Sequence, residues 1–122
     1  EAGHRPPVIQ VGNLDTKRDF CDVRDIVRGY WLALLEGRPG DVYNLGSGRS
    51  HSVAEVLEML LRHATVGITV QRDAGRLRPS DIPDLVCDAS KFQAETGWQP
   101  TIPLQKSLSD LMDYWRARVR KE

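Results

Sequence analysis

Between Asp22 and Gly37 the apolar residues recur at the spacing of an α-helix, and this stretch restricts the fold more than any other. Val23, Ile26, Val27, Tyr30, Trp31, Leu34 and Leu35 fall at i, i+3, i+4, i+7, i+8, i+11 and i+12. That pattern lines one continuous face of a 3.6-residue repeat. Asp22 is placed to cap the first turn, with Asp25 three residues on as in a capping-box variant. Gly37 and Pro39-Gly40 stop the helix. So wide an apolar face has to be buried. Tyr30 and Trp31, and Trp115 near the C-terminus, are therefore expected in a core rather than stacked on a base.

The rest of the chain alternates short extended runs with helices. Val8-Ile9-Gln10-Val11 is β-rich and breaks at Gly12-Asn13. Arg18-Asp19-Phe20-Cys21 is a second extended piece. Asp41-Val42-Tyr43-Asn44-Leu45 reads as a buried strand closed by Gly46-Ser47-Gly48. Ser52 with Glu55 forms a capping box that opens a helix with Val53, Val56, Leu57, Leu60 and Leu61 on one face. Ile68-Thr69-Val70 is another strand. Asp73 to Pro83 is rich in Arg, Gly and Pro and has no period, so it is expected to be an ordered functional loop. Ser90 is placed to cap a short helix that Gly97 stops, and Trp98 beside it is a packing anchor. Pro103 suits the first turn of a last helix, whose stripe is Leu104, Leu108, Leu111, Met112, Trp115 and Val119. This order describes a small α/β fold of about four helices and a few short strands, one domain over residues 1–122.

Composition narrows the function. The 17 basic and 17 acidic residues cancel, so no overall charge draws the chain to nucleic acid or to an anionic membrane. No apolar run is long enough to span a bilayer. The N-terminal residues form no apolar signal region and read like the middle of a domain, and a cytoplasmic address is expected. Cys21 and Cys87 belong to no CxxC spacing and are expected as free, mostly buried thiols. His4, His51 and His63 are scattered, and no metal site is expected.

Three segments carry binding chemistry. Gly46-Ser47-Gly48 could let a phosphate approach a helix start, but a dinucleotide fingerprint needs a third glycine where His51 stands, so a tight turn is the better reading. Arg72, Arg76 and Arg78 offer planar donors suited to a pyrophosphate, with the Pro79 turn aiming Arg78 and Asp81 free to accept from ribose hydroxyls. An equally good reading is a solvated basic loop with local ion pairs. Val11-Gly12-Asn13-Leu14 with Arg18 could hold a base edge and a phosphate, although the pattern alone describes an ordinary hairpin. No nucleophile elbow or carboxylate pair marks acid–base work.

Taken together and in order, these motifs resemble the C-terminal part of the extended short-chain dehydrogenase/reductase family. They are closest to GDP-mannose 4,6-dehydratases and GDP-4-keto-6-deoxymannose reductases. Val11-Gly12-Asn13-Leu14, Arg18-Asp19-Phe20 and Asp22-Val23-Arg24-Asp25 resemble V-G-N-L…R-D-F-x-D-V-R-D. Val42 to Gly48 resembles V-Y-N-x-x-S-G, Arg76 to Pro83 resembles R-x-R-P-S-D-x-P, and Thr96 to Pro100 resembles T-G-W-x-P. The resemblance implies a sugar-nucleotide-binding lobe lacking most of the Rossmann sheet. It implies substrate-binding roles for Val11 and Asn13 near the guanine or diphosphate, for Arg18 and Arg78 on the diphosphate, and for Asp81 on the ribose. Asp81 within R-P-S-D-x-P points toward the reductase branch.

NAD(P) is implied for the intact family enzyme and no cofactor for this chain. The family's glycine-rich cofactor loop and Tyr-x-x-x-Lys pair have no counterpart here, since Tyr30 is followed four residues on by Leu34, Tyr43 by Ser47 and Tyr114 by Arg118. Three readings stand: a lobe that serves an enzyme but is not catalytic alone, a stand-alone nucleotide- or protein-binding module, or a folded remnant without a ligand. Bare strand edges also lead to the expectation of a homodimer through paired or exchanged strands.

Overall fold

The computed structural model describes residue 3 and residues 5–77 and 82–119. The fold is α/β, with four α-helices and five short strands among the described residues, in the order β1 (Val8–Val11), β2 (Lys17–Asp19), α1 (Val23–Glu36), β3 (Ser50–Ser52), α2 (Val53–Arg62), β4 (Thr69–Arg72), β5 (Asp84–Leu85), α3 (Ser90–Thr96) and α4 (Leu104–Val119). A 3-10 turn, Ala74–Arg76, lies between β4 and β5. The chain divides into two compact units.

The first unit takes residues 1–16, 52–83 and 105–122. Its sheet is β1 beside β4, parallel, with Val8 opposite Thr69 and Val11 opposite Arg72. The hairpin suggested by Val11 to Leu14 does not form, because β1 pairs with β4, beyond α1 and α2 in the chain, while β2 joins another sheet. Ser52 and Glu55 close the expected capping box on α2, each side chain taking the other residue's amide hydrogen. Leu108 of α4 is buried. Trp115 does not enter the core: about half of it is exposed, and it packs edge-on against Tyr114, 5.4 Å between centroids.

The second unit takes residues 17–51 and 84–104. Its sheet runs β3-β2-β5, with Lys17 opposite Asp84 and Arg18 opposite Leu85 in parallel. The core is Ala89, Phe92 and Trp98, with Cys21, Leu32, Ala33, Tyr43, Leu45 and Cys87 packed around it. Trp98 is the anchor its sequence context suggested, fully buried with its ring tilted against Phe92. Gly97 ends α3 with φ 68°. Asp88, not Ser90, satisfies the start of α3 by accepting the Ser90 amide hydrogen at 2.9 Å.

Helix α1 spans the expected residues but turns the other way. Tyr30 and Trp31 are each 61% exposed and Leu34 is 81% exposed, with Val23, Val27 and Leu35 also open. The inward face carries Asp25, Gly29, Leu32 and Ala33 instead. Two features fix this orientation. A Cβ at Gly29 would lie 2.9 Å from Leu45 Cδ2 and 3.1 Å from Trp98 Nε1, so the absent side chain lets the helix approach the core. Asp25, 1% exposed, faces inward because its carboxylate is fully bonded there. It accepts from the Thr101 and Ile102 amides at 2.9 Å, the Thr101 hydroxyl at 3.0 Å and Arg28 at 2.7 Å. Asp22 does cap α1, accepting from the Arg24 amide, but Asp25 is no part of a capping box.

Residues 41–45 also depart from expectation. They form no strand and belong to no ladder, and Val42 is 80% exposed. Tyr43 and Leu45 turn inward against the core while Val42 and Asn44 turn out. The apolar content of this segment serves one face only, since no strand lies beside it among the described residues.

Candidate functional site

The first unit gathers the turn after β1 and the segment leading into the arginine loop. The parallel register sets Val11 against Arg72, and the Asp73 amide donates to the Val11 carbonyl at 2.9 Å. Gly12 then passes so close to the 3-10 turn that a Cβ there would stand 2.3 Å from the Arg76 carbonyl oxygen. The other side of the turn is held by α2, whose Val53 and Ala54 amides donate to the Thr16 and Leu14 carbonyls at 3.0 and 2.9 Å. Helix N-terminal amides have no partner within their own helix, so these bonds both cap α2 and fix residues 12–16.

Within that frame Val11 is half-buried and Asn13 is exposed. Asn13 Oδ1 accepts the Asp15 amide hydrogen at 2.9 Å, an Asx turn that sets the side chain's direction. Asp73 caps the 3-10 turn through the Gly75 amide and pairs with Arg76 Nε at 3.3 Å. Arg76 is thereby engaged in a local ion pair of the kind the solvated-loop reading describes. Arg78 and Asp81 lie outside the described residues, as do Pro79 and Ser80 between them.

Arg18 stands in the second unit, on β2. It is half-buried, with Nη1 donating to the Lys17 carbonyl at 2.6 Å. Its neighbour Asp19 carries most of the local bonding. The Asp19 carboxylate accepts from the Ser47 amide at 2.9 Å and hydroxyl at 2.5 Å, from the Gly48 amide at 2.9 Å and from the Cys87 amide at 3.2 Å. Burial works to raise its pKa, but the bonds from Ser47, Cys87 and Gly48 outweigh it and hold the group below the usual carboxylate value.

This answers whether Gly46-Ser47-Gly48 suits a cofactor phosphate. The amides a phosphate would need already face a carboxylate, so the segment is a structural turn and does not fit an NAD(P) phosphate. No positional signal tied Asp19 to a turn near residue 47, and sequence reading missed it. It missed the close approach of Gly12 to Arg76 for the same reason. A glycine-rich turn without its third glycine did pose the question of what its amides would face.

The cysteines are free and half-buried. Burial pushes both thiols up, and the nearby carboxylates Asp25 and Asp19 at Cys21, and Asp19 and Asp88 at Cys87, push the same way. Both are held as thiols, the opposite of an activated nucleophile. No helix among the described residues is long and apolar enough to cross a membrane.

Residues 1–111 match the family model for GDP-mannose 4,6 dehydratase. The chain is 33% identical to GDP-6-deoxy-D-mannose reductase of Pseudomonas aeruginosa, over 93% of this chain and 38% of that protein. It is 31% identical to GDP-mannose 4,6 dehydratase of Drosophila melanogaster, over 84% of this chain and 31% of the relative. Among solved structures, RMD from Pseudomonas aeruginosa complexed with NADPH superposes with a TM-score of 0.88 at 30% identity, covering 95% of this chain and 38% of that one. The UDP-glucose 4-epimerase of Stenotrophomonas maltophila, with bound NAD and formylated UDP-arabinopyranose, gives 0.80 at 28% identity, covering 96% and 37%. The chain thus spans between 31% and 38% of the length of these relatives.

Proposed function

Since the chain belongs to the GDP-mannose 4,6-dehydratase family, we propose that it provides the sugar-nucleotide-binding lobe of an NAD(P)-dependent reductase or dehydratase acting on a GDP-mannose-type substrate. The observation that carries this reading is the approach of Gly12 to the Arg76 carbonyl, together with the β1–β4 register. They set the turn of Val11 and Asn13 beside the segment that leads into Arg78. A fixed backbone turn beside an arginine-bearing segment suits an anion flanked by a base, which is the chemistry of a nucleoside diphosphate.

In this reading Arg78 donates to the diphosphate, Asp81 accepts from the ribose hydroxyls, and Val11 and Asn13 border the guanine or the diphosphate. Arg18 is a second diphosphate donor by the family resemblance. The chain carries no Tyr-x-x-x-Lys pair, so the reading is one of binding, without turnover by this chain alone. A relative named as a reductase and the Asp81-containing motif both support the reductase branch.

Calorimetric titration with GDP, GDP-mannose, UDP and pyrophosphate tests it. GDP and GDP-mannose are expected to bind more tightly than UDP or pyrophosphate. Arg78→Ala should weaken binding by about 2 to 3 kcal/mol if its contact is bidentate and desolvated. Arg18→Ala should weaken it as well, and Arg62→Ala, on an exposed position of α2, should leave it unchanged. The assignment fails if all four ligands give the same response, or if Arg78→Ala costs no more than Arg62→Ala.

A further inference from the structure

The three strands of the second unit's sheet have no buried residue to set how they lie. Every side chain of β2, β3 and β5 is half-buried or exposed. A strand's roll and register are strongly fixed only where one face is buried, and these strands are two or three residues long. Asp19 supplies the missing constraint from the end of β2. Its Oδ1 accepts from the Ser47 amide and hydroxyl, and its Oδ2 from the Gly48 and Cys87 amides. None of these donors lies on the ladder partners β3 and β5. The turn presses on the groups it serves: a Cβ at Gly46 would stand 2.3 Å from Cys87 Cβ and 3.0 Å from Asp19 Oδ2.

Arg18 is the residue before it. Successive side chains of a strand leave on opposite faces, so a β2 anchored through Asp19 on one face sends Arg18 out from the other. Arg18 Nη1 donates to the Lys17 carbonyl at 2.6 Å, which ties the guanidinium to the strand's own backbone. Anchored strand and tied guanidinium together leave the donor group little freedom to lose when an anion arrives, and lost freedom is what weakens a contact made by a long side chain. We propose that Asp19 is a positioning residue for Arg18: by clamping β2 to residues 47, 48 and 87 it holds the guanidinium in place for a nucleoside diphosphate before the ligand binds. The proposal rests on the reading of Arg18 as a diphosphate donor and adds to it a residue that does not touch the ligand.

Two measurements test it. The first needs no ligand: 15N relaxation of the Arg18 Nε–Hε group should show an ordered side chain in wild type, and in Asp19→Asn an order parameter that falls toward that of the exposed Arg62. Asp19→Asn keeps the size but turns one acceptor into a donor, so two of the facing donors lose their partner. Ser47→Ala, which removes only the hydroxyl bond, should lower the order parameter less, and it carries the test if Asp19→Asn does not fold. Thr101→Ala, which loses a bond to Asp25 in the same unit, should reduce stability and leave Arg18 as ordered as before. The second is a double-mutant cycle on GDP binding by calorimetry. Asp19→Asn should raise the dissociation constant about 10-fold, and in an Arg18→Ala background it should change it by less than about two-fold, because its effect passes through Arg18. If wild type does not bind GDP, or Arg18→Ala binds it as tightly, the diphosphate reading of Arg18 fails and the proposal with it. If Arg18→Ala weakens binding, the proposal alone is overturned by an Arg18 side chain as ordered in the variants as in wild type, or by an Asp19→Asn effect that persists in full without Arg18.

Discussion

Two places in this chain concentrate polar groups, and they use them differently. In the second unit Asp25 and Asp19 each accept several hydrogen bonds from amides and hydroxyls of distant segments, and Asp25 is sealed from solvent. In the first unit the turn at residues 11–16 has its backbone held from two sides, while Asn13 is exposed and engages only its Oδ1 with a neighbour among the described residues. A carboxylate whose acceptor capacity is filled by the fold stabilises the fold. A fixed backbone with an exposed amide side chain leaves hydrogen-bonding capacity over, and that is what a ligand can use. The difference separates residues that look equally polar in the sequence. Asp25 and Asp19 belong to the family motif as much as Asn13 does, yet the structure gives them work inside the protein.

The strongest way to break the comparison is to remove Asp25. Asp25→Ala strips the acceptor from the Thr101 and Ile102 amides, the Thr101 hydroxyl and Arg28. It detaches α1 from the segment after Trp98, whose ring nitrogen also donates to the Asp25 carbonyl at 3.0 Å. The expected loss is about 3 to 5 kcal/mol of unfolding free energy, measured by urea denaturation. A cost under about 1 kcal/mol would show that the buried carboxylate is not what fixes the inward face of α1.

That face is also where sequence reading reached its limit. Helical period located α1 between Val23 and Glu36 and found the Ser52–Glu55 box, because both are local signals. Which side of α1 faces inward is a long-range question. The apolar residues made one side the natural choice, and a glycine and an aspartate took the other, through Leu45, Trp98 and residues 101–102 that lie far along the chain. Val42 to Leu45 misled for a related reason: a strand is defined by a neighbour, and hydrophobicity cannot supply one. At the candidate site, the family motifs picked out Val11 and Asn13, and their approach to the arginine loop required the parallel register of β1 with β4, which no turn signal encodes.

Gly12→Ala sharpens the other half of the comparison. The new methyl would meet the Arg76 carbonyl, so the turn and the 3-10 segment must separate. Overpacking of this kind costs roughly 1 to 3 kcal/mol, less than Asp25→Ala. Its distinguishing effect is on GDP affinity, which should fall at temperatures where the variant is still fully folded. A variant that loses stability yet binds as wild type would detach the Gly12–Arg76 approach from ligand binding.

The smallest effect is the dependence on pH. Asp19 and Asp25 are both held below the usual carboxylate pKa of about 3.9, against burial that alone would raise them. In the unfolded chain the same groups take up protons as pH falls through about 4, while the folded chain keeps them ionised to lower pH. The unfolded state therefore binds more protons in that window, and stability decreases as pH falls. The contribution is complete at neutral pH and is lost between about pH 4 and the depressed values of the folded protein. Urea midpoints from pH 7 to pH 3 should stay level and then drop below about pH 4. Asp19→Asn, which cannot titrate, should lower the plateau and make the drop shallower. An unchanged slope in that variant would mean that the bonds from Ser47, Gly48 and Cys87 do not favour the charged form, and the contrast between filled and spare polar groups would then rest on Asp25 alone.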